Sequence, residues 1–225
     1  MYKRQLLNRY TLGLSLNNQL FFEVYYNAHK DKEEQLPLQD IISKILTFTA
    51  VNINRTRDFG FDIEAYFDIG DRWSLYAAHS LYKSTDKGVV GKESFNKGRW
   101  ASYAILTSDW SFLKDNSLSV NLSMDYSSKN IQGFQEVGAF LASNLSIRKT
   151  LLKGRGVLSI SANDLFNEND VLVVSSFGDQ NSSQFFNLDT RYVRVGFRYK
   201  FGNTKLSTNE KSTNIDERDR LEKED

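Results

Sequence analysis

The sequence contains no cysteine, a single proline (Pro37) and no apolar run long enough for a membrane-spanning helix. The absence of cysteine excludes a disulfide framework and a thiolate metal site. The charges almost cancel, with 29 Lys+Arg against 28 Asp+Glu, and no basic cluster is interleaved with stacking aromatic residues. Nothing therefore indicates nucleic-acid binding. Aromatic residues are abundant, with 11 Tyr and 16 Phe, and this favours β-structure.

The stretch from Arg191 to Phe201 shows the clearest pattern in the chain. From Val193 onward its odd positions are apolar or aromatic, while its even positions are Arg194, Gly196, Arg198 and Lys200. A side-chain period of two predicts a strand with one apolar and one cationic face. The stretch has the length of a strand that crosses a bilayer, and it ends in aromatic residues suited to the headgroup level.

The same alternation recurs in about nine segments, and the connections between them alternate in length. Short connections are predicted near Asn17, Gly70, Asp115 and Gly154. Long polar loops are predicted at 29–44, 83–97, 129–136 and from 167 onward. Outer-membrane barrels have tight periplasmic turns and longer extracellular loops, whereas a soluble sandwich does not sort its loops by length. We therefore predict an all-β, antiparallel, up-and-down transmembrane β-barrel portion in the outer membrane of a Gram-negative bacterium.

This interpretation assigns each strand a lipid-facing side and a lumen-facing side. The predicted lipid-facing residues are Phe61, Ile63, Phe67, Leu118, Val120, Leu122, Val193, Val195 and Phe197. The predicted lumen-facing residues are Asp62, Glu64, Asp68, Asp109, Asn121, Asp125, Asn144, Arg148, Arg194 and Arg198. Carboxylates on one face of a strand are poorly placed in a soluble core but well placed in a wet lumen.

About nine strands is an odd number, whereas single-chain bacterial barrels have an even number. We therefore expect residues 1–201 to be the C-terminal portion of a larger barrel, whose upstream remainder would pair with the unpaired edges. Residues 202–225 are rich in Ser, Thr and Asn and then in charges, and they predict a polar, charged periplasmic tail.

Several motifs resemble those of known outer-membrane proteins. The stretch from Arg194 to Phe201 resembles a C-terminal β-signal, carried by Arg194, Gly196, Tyr199 and Phe201, which implies recognition by the barrel-assembly machinery. Other stretches resemble the Bacteroidetes-type outer-membrane β-barrel family related to TonB-dependent receptors: Asp58–Glu64, Ser161–Asn167, Tyr199–Asn203 and Asp216–Leu221. The resemblance implies the wall of a receptor or transporter barrel for a large nutrient ligand. The plug and the TonB-contacting box of such receptors are expected outside this chain.

Catalytic and cofactor chemistry finds no support in the sequence. There is no nucleophile elbow, phosphate loop or dinucleotide fingerprint, so we expect a non-enzyme without a cofactor. His29 and His79 lie about fifty residues apart and do not indicate a metal site. Asp62, Glu64 and Asp68 could hold calcium or a cationic substrate, but lumen lining is the simpler interpretation.

Two other interpretations stay open at this point. In a soluble all-β ligand- or glycan-binding module, a second sheet would shield Leu118, Val120, Leu122 and Met124. A truncated barrel with no independent function would carry the same strand pattern.

Overall fold

The computed structural model describes residues 3–40 and 42–202. Within this part of the chain thirteen strands account for most of the residues. Their bounds are β1 Leu6–Leu16, β2 Leu20–Gln39, β3 Leu46–Ile69, β4 Trp73–Val90, β5 Glu93–Phe112, β6 Leu118–Ser127, β7 Asn130–Gln132, β8 Gln135–Val137, β9 Phe140–Leu151, β10 Gly156–Asn163, β11 Asp170–Phe177, β12 Gln180–Asn187 and β13 Tyr192–Tyr199. A 3₁₀ turn at Leu152–Gly154 joins β9 to β10.

Nine of these strands form one antiparallel up-and-down sheet, in the order β1-β2-β3-β4-β5-β6-β9-β10-β13. The predicted all-β antiparallel architecture is therefore confirmed. Four tight connections lie at one end of the sheet. In the first of them Asn17 and Asn18 both have positive φ, as the two central residues of a type I′ turn do, and the Gln19 N–H donates to the Leu16 carbonyl over 3.0 Å. β1 and β13 are the outer strands of this sheet and do not pair with each other.

The prediction that four long polar segments are irregular loops is wrong, because strands occupy much of each of them. β2 continues to Gln39. β4 extends to Val90 and β5 begins at Glu93, so only two residues connect β4 to β5. Residues 129–136 contain β7 and most of β8, and the segment after 167 contains the hairpin of β11 and β12. Polar composition in these segments marks strands that continue into water, where both faces tolerate polar side chains.

A second sheet, in the order β12-β11-β8-β7, is built from the connections after β6 and β10. It packs against the long ends of β2 to β5, where Leu36, Ile53, Phe95 and Phe134 form a buried cluster. Leu118, Val120, Leu122 and Met124 are not among the buried residues, so the shielding expected for a soluble sandwich is not observed.

Asp31 marks a change in the pleat of β2. His29 and the odd-numbered residues before it share a face with Asp58 and Asp62, whereas Glu34 and Leu36 face the second sheet beyond Asp31. Asp31 has φ +53°, a left-handed conformation that interrupts the extended geometry of the strand. The pairing passes from Lys30 with Arg55 to Lys32 with Ile53 without an extra residue, so β3 changes face at the same level. This change of face turns Leu36 inward, where it contributes to the buried cluster.

Within residues 3–40 and 42–202, no helix is long and apolar enough to cross a membrane.

Candidate functional site: a polar wall and its cap

The antiparallel register brings the ten predicted lumen-facing residues to one face of the nine-stranded sheet, which we call the polar wall. Directly opposed residues in antiparallel strands share a face. One row of paired residues runs from β3 to β13 and is entirely polar: Asp68, Ser74, Asp109, Asn121, Ser146, Ser161 and Arg194. That this face lines a lumen stays a prediction.

The nine predicted lipid-facing residues share the opposite face. The neighbouring row on that side reads Ile69, Trp73, Trp110, Val120, Ile147, Ile160 and Val195. Val193, Val195 and Phe197 are 62–68% exposed although they are large and apolar. So extended an exposed apolar surface is expected where hydrocarbon rather than water is the neighbour.

Short hydrogen bonds fix the carboxylates of the polar wall. The Ser80 hydroxyl donates to Asp62 over 2.5 Å, and the Ser84 hydroxyl donates to Asp58 over 2.7 Å. His29 Nε2 lies 3.9 Å from the same Asp58 side chain. Farther along the wall the Asn121 amide donates to Asp109 over 2.8 Å. The hydroxyl and amide partners are neutral groups, and they fix the orientation of these acidic side chains on the wall.

The four-stranded sheet, which we call the cap, covers one end of the polar wall. Its contact is aromatic: Phe134 in the β7–β8 turn stacks on Phe177 of β11 with ring centroids 4.6 Å apart. Phe95 of the wall meets both rings edge-on at 5.9 and 5.8 Å. Stacked and edge-to-face rings add to the area they bury. Gly88 lies directly opposite Phe95 and leaves the space that this ring occupies.

Asp86 is the polar anchor of the cap. Its carboxylate accepts the Gly133 backbone N–H over 2.8 Å and the Thr56 hydroxyl over 2.5 Å, and the residue is 2% exposed. Burial raises the pKa of Asp86 above its usual value, although the Thr56 and Gly133 hydrogen bonds oppose the shift. Gly133 has φ +61°, and an added Cβ would lie 2.8 Å from Leu36 Cδ1. Only glycine fits this contact without strain.

An ion pair on β2 provides a second anchor. Lys32 Nζ lies 2.6 Å from Glu34, which also accepts the Gln132 amide over 2.8 Å. Burial by itself raises the pKa of Glu34, but the hydrogen bonds from Lys32 and Gln132 outweigh it, and the net shift is downward. This carboxylate is therefore charged at neutral pH.

The tip of the β11–β12 hairpin reaches across to β2. The Gln180 amide accepts from the Gln39 backbone N–H and donates to the Pro37 carbonyl, each over 3.0 Å. On the other side of the cap Glu136 pairs with Arg99 at 3.0 Å and with Lys97 at 3.9 Å. Polar contacts thus hold the cap to three wall strands, β2, β4 and β5, in addition to the apolar cluster and the covalent connections of the cap.

The connection from β10 into the cap is a structured turn. Asp164, which is 5% exposed, accepts hydrogen bonds from the Glu168 backbone and the Thr190 hydroxyl. Asp164 and Asn167 both have positive φ, a conformation that Asp and Asn tolerate better than most residues. The stretch Ser161–Asn167, which carried part of the family resemblance, is therefore the base of the cap.

The residues of the predicted β-signal lie on the outer strand β13 or just beyond it. Tyr199 and Phe201 meet edge-on at 4.6 Å, and the Arg194 guanidinium lies 5.3 Å from the Tyr192 ring centre. Gly196 faces Ser159, whose hydroxyl donates to the Gly196 carbonyl over 3.3 Å. Their role in assembly stays a prediction. The tail beyond residue 202 lies outside the described residues.

The cap residues were missed in the sequence because they lie in segments that read as polar loops. A signal was present: Phe95, Phe134 and Phe177 are isolated aromatic residues among polar neighbours, and 171–174 is a short apolar run. Neither pattern indicates which residues pack against it, because those residues lie far away in the sequence. In the part of the chain that the structure describes, no group of three or more His, Asp or Glu side chains could hold a metal ion.

The comparisons with known proteins agree with this geometry. A model of the outer membrane protein beta-barrel family matches residues 3–199, which is most of the chain. No curated protein and no solved structure matches the chain. The match implies association with outer-membrane lipid. That the apolar face is the one in contact with this lipid stays a prediction. The chain belongs to the outer membrane protein β-barrel family and is an outer-membrane protein.

Proposed function

We propose that the chain forms part of the wall of an outer-membrane receptor or transporter that takes up a large nutrient ligand in the manner of TonB-dependent receptors. The observation that carries the proposal is the cap. A wall with no transport role needs no second sheet, and yet this cap is anchored to the wall at Asp86, Glu34 and Gln180. Folded extracellular segments that fill a barrel mouth are how such proteins shape a ligand site.

The outer strands support a larger barrel. The free edges of β1 and β13 carry backbone N–H and C=O groups that lipid cannot satisfy. Both strands run in the same direction, because they are the first and ninth of an antiparallel series. Further strands of the same protein that pair with both edges would close the barrel and would connect this part of the wall to a plug.

Two further roles follow if the chain is part of a barrel wall. The protein acts by binding and passage rather than by catalysis. Arg194, Gly196, Tyr199 and Phe201 present the β-signal to the barrel-assembly machinery.

An uptake assay tests the proposal. Cells that carry the whole protein and cells that lack it are given three labelled probes, namely a ferric siderophore, an oligosaccharide and a peptide, with and without a protonophore. Accumulation of one probe that depends on the protein and stops with the protonophore is the expected result. Accumulation unaffected by the protonophore would contradict energised uptake, and accumulation of none of the three would contradict a nutrient receptor for these ligand classes.

A further inference from the structure

A group of cations lies on the lipid-facing side of β2 to β4, beyond its apolar part. Lys30, Arg55 and Lys87 are directly paired across the three strands and so form one row. Arg57 and Lys83 lie on the same side, closer to the apolar surface, and all five residues are exposed. Lys30, Arg55 and Lys87 also line one shallow cleft together with Lys3, Asp31 and Asn54.

These cations form no ion pair within the part of the chain that the structure describes. Among residues 3–40 and 42–202, none of the five has a carboxylate within 4 Å, whereas Lys32, Arg99 and Arg9 are all paired. Asp31 is the acid of the cleft, and its pairing is with Lys3 at 3.7 Å. The row therefore presents an unneutralised positive charge on a face that is mostly apolar along the rest of the sheet.

The position of the row relative to the membrane follows from β3. Its outward apolar residues run from Ile69 to Phe59, which is about 34 Å along the strand and about 25 Å along the membrane normal at a tilt of about 45°. That is the height of the apolar band of a transmembrane barrel. At the upper limit of the band the paired row contains Tyr10, Tyr26, Phe59, Lys83 and Trp100. Aromatic residues mark the boundary between hydrocarbon and headgroups.

The cations lie just beyond this boundary. Arg57 and Arg55 are two and four residues beyond Phe59, so they lie about 5 and about 10 Å higher along the membrane normal. The headgroup layer is roughly 5–7 Å thick, so Arg57 lies within it and Arg55 at its outer limit. They lie at the end of the sheet that carries the cap, opposite the tight turns, and this is the extracellular end of such barrels. The anions at that level are the phosphates of outer-leaflet lipids.

We propose that Lys30, Arg55 and Lys87, supported by Arg57 and Lys83, bind the phosphate groups of a phosphorylated outer-leaflet lipid. The paired register spaces the three side chains across neighbouring strands about 5 Å apart, so that one phosphate can contact two of them. The aromatic row beneath packs against the acyl chains of the same lipid. This role is separate from ligand uptake and does not depend on it.

The test compares lipid binding by the whole protein, purified from outer membranes in detergent, and by a triple variant Lys30→Gln/Arg55→Gln/Lys87→Gln. The matched control Arg72→Gln/Lys114→Gln/Lys153→Gln removes three exposed cations at the tight-turn end. Native mass spectrometry with bisphosphorylated lipid A and with its dephosphorylated form measures the affinity. Each cation near an anionic lipid surface contributes a factor of about five, so we expect the triple variant to bind the phosphorylated lipid about a hundredfold more weakly.

The expected result is a phosphate-dependent affinity in the wild-type and control proteins that the triple variant loses. Equal binding of the two lipid forms by the wild-type protein would overturn the proposal, as would full retention of affinity by the triple variant. Competition by soluble inorganic phosphate at the same concentration would show a free-anion site and would also overturn it. The conservative variant Lys30→Arg/Lys87→Arg keeps the charges and is expected to keep the affinity, which separates loss of charge from loss of fold.

Discussion

At the residue scale, the cap is anchored by the carboxyl group of Asp86, whose burial disfavours its charged form. Asp86 is buried, and its two hydrogen-bond donors only partly offset the loss of hydration. Its raised pKa means that the folded state holds a proton to higher pH than the unfolded state does. The stability that protonation of Asp86 contributes to the folded state is fully present below the ordinary carboxyl pKa. It is lost as the pH rises through the raised pKa.

We therefore expect the wild-type cap to be better protected at mildly acidic pH than at neutral pH, and Asp86→Asn to remove that part of the pH dependence. An asparagine can still accept from Gly133 and donate to Thr56, so the contact survives without the charge. Hydrogen-exchange protection factors of β7 and β8, followed from acidic to neutral pH, measure the effect. Asp179→Asn at the exposed hairpin tip is the control, and an unchanged pH profile in Asp86→Asn would refute the assignment.

Gly133 gives a second prediction at this scale. Gly133→Ala places a methyl group 2.8 Å from Leu36 Cδ1 at φ +61°. The left-handed conformation alone costs about 1–2 kcal/mol, and the steric contact adds to it. We expect the β7–β8 turn to detach and β7 and β8 to become sensitive to limited proteolysis.

Gly91→Ala is the matched control, because Gly91 has φ +64° with no atom near the added Cβ. It shares the conformational cost but not the contact with Leu36. Equal proteolysis in both variants would show that the fit against Leu36 does not hold the cap.

At the scale of the element, each strand of the main sheet is defined by the difference between its two faces. β6 shows this most clearly, with Leu122 on the apolar face and Ser123 on the polar wall. Leu122→Arg places a charge in hydrocarbon and should cost roughly 2–4 kcal/mol near the bilayer midplane. Ser123→Arg, one residue away, places the same charge in a polar setting and should cost far less.

The free energy of unfolding in lipid vesicles, together with the folded fraction in outer membranes, measures the difference between these two variants. Similar losses in both would mean that the two faces meet the same solvent. That outcome would contradict the assignment of the apolar face to lipid.

At the scale of the whole molecule, the sheet has a tight-turn end and a capped end, and these fix its orientation. The cap should lie outside the cell, with Asp179 at the hairpin tip and Asp115 at the opposite end. The chain has no cysteine, so single cysteines can be introduced without background labelling. A membrane-impermeant maleimide should label Asp179→Cys on intact cells, and Asp115→Cys only after the outer membrane is permeabilised. The reverse pattern would show that the barrel is inserted in the opposite direction.

The sequence by itself determined the main sheet. A period of two is local, so the residues around Leu122 and Val195 reveal both strand and face without reference to any partner, and short turns such as Asn17-Asn18 then fix which strands pair. The predicted nine strands, their faces and the outer-membrane location all rest on such local patterns.

Only the tertiary structure decided where the long connections go. The contact of Gly133 with Asp86 spans 47 residues, and that of Gln180 with Pro37 spans 143 residues. No periodicity relates such distant positions, because the contacts depend on how the strands pair and on the left-handed conformation of Asp31. The row of Lys30, Arg55 and Lys87 likewise becomes visible only when the register of three strands is known, since these cations are scattered along the chain and adjacent only in the sheet.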